Sequence, residues 1–191
     1  MTTGKPVTGR TRVVILFLDL GILWLSQHWL GLVNTLAGLY VGLPVLAPVL
    51  MWLNLAAPAR GIFFVYQYLC HQLPERSFFI FGNQIAFCQR DTAIYGSLFV
   101  AGLFYVASRR RWKPLKWWVF ALMLVPMVVD GSLQLLTPYE STWHLRVLTG
   151  VLTGAGGVWF LYPRLESAFN EIRREATDKL HRAAPRDRQV R

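Results

Sequence analysis

Both cysteines of the 191-residue chain fall in one stretch, YLCHQLPERSFFIFGNQIAFCQRDTAIY, residues 68 to 95. Cys70 stands beside His71, and Cys88 lies two residues before the Arg90-Asp91 pair. Thiolate, imidazole and carboxylate are ligands of zinc and iron, so Cys70, His71, Cys88 and Asp91 form a candidate metal site, with Asp130 or His144 as further donors. A site with fewer than four protein ligands keeps a position open for water, as a catalytic ion requires. The spacing is loose for a metal site: there is no C-x-x-C or H-x-x-x-H pair, and adjacent side chains on a helix diverge by about 100°. Two other readings stand beside it. A Cys70–Cys88 disulfide on an oxidising face would stabilise by about 3 kcal/mol for a loop of this length. Two buried free thiols would need no partner at all.

Asp130, Arg146 and Arg90 are the candidate catalytic groups. Asp130 and Gln134 share one helix face, and Thr137-Pro138 ends that helix, so Asp130 lies about 10 Å inside it at 1.5 Å per residue. A carboxylate at that depth costs several kcal/mol unless it is paired, hydrated or protonated, so it should face the interior of a bundle. It would serve as general base or metal ligand, while Arg146 and Arg90 hold an anionic group. Arg146 is spaced by four from Gly150 and Gly154, which points it inward toward Asp130 or Asp91. Each residue also has a plainer reading: Asp130 as a salt-bridge lock between helices, Arg146 as an interface anchor, Asp91 as a helix cap.

The elements that must position these groups are membrane helices. With 54% hydrophobic side chains, eight Trp and twelve Phe, the chain is too apolar for a soluble domain of its size. Windows 13–33, 92–108, 117–136 and 147–162 each approach the ~20 apolar residues a span needs. Residues 34–58 are apolar too, but Pro44, Pro48 and Pro58 interrupt them, which predicts a kinked span or a re-entrant segment. RSFFIFGNQIAF reads as a short hairpin around a Gly-Asn turn, a lid at the outer face. The expected fold is an all-α polytopic bundle of about four to six transmembrane helices with this re-entrant or hairpin segment. Its parts are an N-terminal segment (1–12), a helical membrane domain (13–162) and a basic amphipathic tail (163–191), whose apolar stripe is Leu165, Phe169, Ile172 and Ala176 and which frays after Pro185. The first apolar run carries no small-residue cleavage site and reads as a retained span.

The net charge of +10 raises a nucleic-acid partner, which the arrangement of charge argues against. Basic residues form three blocks: Lys5, Arg10 and Arg12; Arg109 to Lys116; and eight between Arg164 and Arg191. Each block flanks a hydrophobic run, where the positive-inside rule puts it. Both termini then lie in the cytoplasm, Cys88 and the 137–146 loop lie outside, and the protein belongs in the cytoplasmic membrane with lipid, and in one reading a membrane protein, as partner. The Gly150/Gly154 stripe predicts close helix packing, within the chain in preference to a dimer.

CHQLPERSFFIFGNQIAFCQRDTAIYGS, PMVVDGSLQ and STWHLRVLTGVLTG resemble, in order, the signatures of the bacterial and archaeal integral-membrane family catalogued as domain of unknown function 2085. The resemblance covers about residues 60 to 160. Its pattern falls on Cys70, His71, Gln72, Arg76, Ser77, Cys88, Arg90, Tyr95, Asp130, Gly131, Gln134, Arg146 and Gly150. It departs at 91–93, where the family resembles C-x-R-C-x-G-I-Y and this chain has CQRDTAIY. Asp91 in place of a second cysteine favours a metal site with a carboxylate, or weakens a thiol-redox role. The resemblance implies a fold and a place for the site and carries no activity. Two functions follow from the residues: a membrane-embedded enzyme with a metal site, acting on a lipid-like or anionic substrate, or a non-catalytic accessory subunit, assembly factor or small-solute carrier with a structural disulfide. A thiol relay to a quinone ranks below both, since it lacks a C-x-x-C pair.

Overall fold

A computed structural model describes residues 10–108 and 111–183. The start of the N-terminal segment, Arg109 and Arg110 of the middle basic block, and the fraying expected after Pro185 lie outside the described residues. The elements are α1 (Arg10–Trp52), α2 (Ala56–Tyr66), a 3-10 turn (Pro74–Arg76), β1 (Ser77–Ile80), β2 (Asn83–Cys88), α3 (Gln89–Ala107), α4 (Trp117–Leu136) and α5 (Trp143–Ala183). The fold is thus mostly helical with one small antiparallel sheet. Among the described residues three helices are long and apolar enough to cross a membrane, in α1, α4 and α5. The apolar window of α4 is only 6% buried within the protein, so its surface needs an apolar solvent.

Of the described residues, 10–32 and 165–183 form one unit and those between 33 and 164 the other. In the smaller unit Trp29 stacks on Phe169 at 5.3 Å, and Arg173 pairs with Glu166 at 3.4 Å. The tail is helical as its pattern predicts, but the buried face differs: Ala176 is buried, whereas Leu165 and Ile172 are exposed and Glu166 takes an inward position. An ion pair on that face lets a glutamate occupy it.

The larger unit holds the candidate site. α1 runs as one helix through Pro44 and Pro48, where the sequence predicts a kinked span or a re-entrant segment. A proline at 44 leaves the carbonyl of Tyr40 without its helical donor, and the Tyr66 hydroxyl of α2 donates to that oxygen at 2.9 Å. The helix stops at Asn54, whose left-handed φ of 59° turns the chain while the Leu55 N–H donates to the Leu50 carbonyl. Pro58 sits in the first turn of α2, where a missing N–H costs nothing. At 11 residues, about 16 Å, α2 is too short to cross a bilayer.

The hairpin has a two-residue turn at Phe81-Gly82, one position before the expected Gly-Asn. Ile80 pairs with Asn83, and both turn residues have positive φ, 51° and 75°. Phe81 tolerates that conformation because its ring stacks on Trp52 at 4.8 Å, and Asn83 steadies it by donating to the Phe81 carbonyl. Beneath the hairpin Tyr40, Tyr66, Phe87 and Tyr95 pack ring on ring around Ala47, Cys70 and Ile85.

α3 lies against three neighbours. A side-chain atom added at Gly38 of α1 would meet Phe99, and one at Gly96 would meet Val41, so α1 and α3 run antiparallel. Gly150 and Gly154 of α5 face residues 90–98 of α3 in the same direction. α4 returns antiparallel to α5, with Phe120 stacked on Phe160 and Thr153 donating to Met127 Sδ. The glycine stripe is therefore filled from within the chain.

Candidate functional site

The site forms where β2 runs into α3, because this junction puts a thiol, a guanidinium and a carboxylate at consecutive corners of one turn. Cys88 is the N-cap of α3, and its Sγ accepts the Asp91 N–H at 3.4 Å, a place where serine or aspartate is the usual cap. The Cys88 N–H in turn donates to Cys70 Sγ at 3.2 Å. Ligand atoms of Cys70, Cys88 and Asp91 lie within 4.8 Å of one another. Both cysteines are free thiols, so the disulfide is not formed. His71 is exposed and outside this trio, although it borders the same cavity; His144 is exposed and stacked on Trp143.

Cys70 is brought opposite Cys88 by a glutamine scaffold, of which the sequence reading singled out only Gln72, through the family resemblance. Gln72 adopts a left-handed φ of 51°, and its amide donates to the Phe63 carbonyl at the end of α2 and to the Ala86 carbonyl of β2. Its own carbonyl accepts from Gln84 Nε2 at 2.7 Å. Such bonds fix the Cys70-His71-Gln72 turn against the hairpin, and an isolated glutamine gives no sequence signal of this kind.

The thiols share a proton unequally. The hydrogen bond with Cys88 pulls the Cys70 thiol below its ordinary range, and the same bond together with burial pushes Cys88 far up. Cys70 is then the more acidic of the two thiols. The pH profile of Cys70 alkylation by iodoacetamide should have its midpoint below that of an ordinary thiol. Cys88→Ala removes the largest cause of that shift, so the midpoint should move up and the rate at pH 7 fall; an unmoved profile would contradict the pairing.

Asp130 is buried, and the structure pairs it with Arg90 and not with Arg146. Ser141 Oγ donates to its Oδ2 at 2.8 Å, and the Tyr139 hydroxyl donates to Oδ1 at 3.3 Å. Arg90 also reaches Gln134 Oε1 at 3.4 Å. Arg146 does point inward, as its spacing predicts, but its partner is the amide oxygen of Gln89 at 3.1 Å, and Gln89 Nε2 donates onward to the Ser77 carbonyl. Arg76 closes the group from the 3-10 turn, 3.6 Å from the exposed Glu140. Tyr139 lay outside every motif, and Ser141 and Gln89 lay inside the family stretches without being singled out; Arg76 and Gln134 belonged to the family pattern.

These groups open on one cavity of about 480 Å³. Its wall carries Cys70, Cys88 and Asp91 on one part and Arg76, Arg90 and Arg146 on another. Two thiols and a carboxylate therefore face three guanidinium groups.

A family described as "Predicted membrane protein (DUF2085)" matches residues 70–160. An uncharacterized protein of Methanocaldococcus jannaschii is 38% identical over 104 residues, 53% of this chain and 67% of the relative. An uncharacterized protein of Methanothermobacter thermautotrophicus is 32% identical over 91 residues, 48% of this chain and 82% of the relative. No solved structure matches. The matched segment runs from Cys70 through the hairpin, α3 and α4 into α5, which takes in every candidate ligand and arginine, and the chain belongs to this family of predicted membrane proteins.

Proposed function

We propose that the protein is a membrane-embedded enzyme that binds zinc or iron at Cys70, Cys88 and Asp91 and acts on a lipid-like, anionic substrate from the outer face of the cytoplasmic membrane. The observation that carries this reading is the convergence of two thiols and a carboxylate within 4.8 Å in the wall of an arginine-lined cavity. A bound ion would supply Lewis-acid chemistry at that wall. Two thiolates and a carboxylate suit zinc or iron, and three protein ligands leave room for a further donor. His71, at the cavity edge, is the side chain available to it.

Asp130 works in this reading as a positioning residue. Its oxygens are occupied by Arg90, Ser141 and Tyr139, so it holds the Arg90 fork in place for substrate. The same saturated network suits the alternative, a non-catalytic accessory subunit or carrier, for which the polar residues are structural. Metal content separates the two.

The orientation rests on charge and helix order. α3, at 19 residues, is long enough to cross, although Arg90 and Asp91 in its first turn lower its apolarity and it is not among the three helices apolar enough by composition. Counting it with α1, α4 and α5 gives an even number of crossings and puts both termini on one side. The basic blocks make that side the cytoplasm, and the Cys88 end of the bundle the outside. In that frame residues 13–162 are the membrane domain, residues 163–191 a cytoplasmic amphipathic tail, and α2 and the hairpin lie in the outer interface.

Elemental mass spectrometry on detergent-purified protein tests the reading. Wild type should carry about one equivalent of zinc or iron, as a three-ligand site implies, and Cys88→Ser should lose it. Wild type without metal would overturn the enzyme reading and favour the structural one.

A further inference from the structure

We infer that the arginine side of the cavity is a subsite for the phosphodiester of a membrane phospholipid, held by Arg146 with Arg76, Arg90 and Gln134, with the lipid's acyl part leaving over a rim of leucines. The inference deepens the reading above, and it rests on that reading for the charge on the opposite wall, where the thiols and Asp91 belong to the metal.

Three observations carry it. The first is an uncompensated charge. Arg146 is 6% exposed, its partner is the neutral Gln89 amide, and among the described residues no carboxylate forms an ion pair with it. By contrast Asp130 offsets Arg90, and Glu140 lies near Arg76. Burying a guanidinium without a counter-charge costs several kcal/mol, so an anion that enters the cavity removes a penalty already present. An anion such as a phosphodiester would supply the ion pair that Arg146 lacks among the described residues.

The second is unspent hydrogen-bonding capacity. Nε of Arg76, Nε of Arg90, Nε of Arg146 and Nε2 of Gln134 are each buried and without an acceptor. All of them belong to side chains that line this cavity. Buried donors are normally satisfied, and several orphans around one space point to an acceptor with several oxygens. A phosphoryl group has them, and guanidinium forks match it bidentately.

The third is the rim. Leu69, Leu73 and Leu135 line the same cavity and are 55%, 37% and 84% exposed. A site for free phosphate gains nothing from leucines at its mouth. An amphiphile gains from both halves, with its head among the arginines and its chain over Leu135 into the bilayer.

Native mass spectrometry of the detergent-purified protein, titrated with dihexanoyl-phosphatidylglycerol and separately with inorganic phosphate, tests this. Wild type should take up one lipid saturably and bind phosphate far more weakly. Arg146→Gln should weaken lipid binding about ten-fold or more, the loss expected for a charge-assisted bond. Arg60→Gln, an exposed arginine of α2 outside the cavity, should change nothing. Leu135→Ser alters only the rim and cannot be confused with a folding defect; it should weaken lipid binding and leave phosphate binding as it was. Metal content measured on the same samples keeps the two readings apart. Lipid binding lost in Arg146→Gln with metal retained supports the subsite; a metal-free wild type that still binds lipid through Arg146 overturns the metal reading and leaves this one standing. Unchanged lipid binding in Arg146→Gln overturns the subsite. Phosphate binding as tight as lipid, with Leu135→Ser silent, overturns the lipid as its ligand.

Discussion

Asp130→Ala should lower the stability of the protein by about 3–5 kcal/mol, the usual result of removing one partner of a buried ion pair. The cost arises on the other side of the pair. Arg90 would keep its charge in a cavity wall with, among the described residues, the Gln134 oxygen at 3.4 Å to meet it, while Ser141, itself 4% exposed, would lose its shorter bond and keep the Thr142 carbonyl at 3.4 Å. Thermal unfolding in detergent micelles measures the loss, and Asp130→Asn should fall between the two, since an amide oxygen can still accept from Ser141. Removing both charges, as Arg90→Met with Asp130→Leu, should restore a good part of the stability, because neither ion is then left alone. A double variant no better than Asp130→Ala would show that packing, and not charge, sets the cost. Stability regained in the double variant should come without function, since Arg90 also belongs to the anion-binding wall.

Gly154→Ala should be comparably damaging. A methyl at Gly154 would stand 2.1 Å from the Ile94 carbonyl oxygen and 2.2 Å from Ser97 Oγ, and backbone cannot turn aside as a side-chain tip can. α3 and α5 must separate, at about 3 kcal/mol or more, the upper part of the range for overpacking. Gly150 is somewhat more open, with Ala93 Cβ at 2.7 Å and the Arg90 carbonyl at 2.9 Å, yet a methyl there presses on the first turn of α3 and so on the site itself. Gly42 of α1 is the control: nothing lies within 4 Å of an added methyl, and Gly42→Ala should be neutral or stabilise by up to ~1 kcal/mol. Melting temperatures of the three variants in one detergent decide the matter. Equal melting temperatures would mean that the stripe is not the tight contact between α3 and α5, and would return it to the dimer reading.

The same two sites show what the sequence could and could not reveal. Long apolar helices were legible because hydrophobic length is a one-dimensional quantity; 117–136 coincides with α4, whereas 92–108 is helical as α3 but is not among the three helices of the described residues apolar enough to cross a membrane. The long first helix was not legible, since two prolines argue for a break unless a hydroxyl from elsewhere takes the freed carbonyl. That partner, Tyr66, is 26 residues away from Tyr40. Inward placement of Asp130 and Arg146 followed from the cost of burying charge, but the choice of partner did not. Arg146 and Arg90 both enter the same end of the bundle, and the helix that carries Asp130 happens to present it to α3. The turn at Phe81 was hidden for a similar reason: a phenylalanine with positive φ is disfavoured locally and is permitted by a stack on Trp52.

At the candidate site, cysteines and acids were visible as residue types, whereas the scaffold of Gln72, Gln84 and Gln89 was not. Amide side chains have no periodicity and no preferred spacing, and their bonds here reach across 7 to 57 residues of sequence. His71 is the converse case, a residue type visible in the sequence that the structure puts at the edge of the cavity and outside the close trio. Adjacency to Cys70 suggested a shared site, but neighbouring side chains leave the backbone in different directions, and Cys70 is buried while His71 is exposed.

X-ray absorption at the metal edge of the purified protein tests the central claim most directly. The proposed site predicts two sulfur scatterers at about 2.3 Å and an oxygen near 2.0 Å, with one sulfur lost in Cys70→Ser and in Cys88→Ser. A first shell of oxygen and nitrogen alone, unchanged in both variants, would place any bound metal elsewhere and contradict the account.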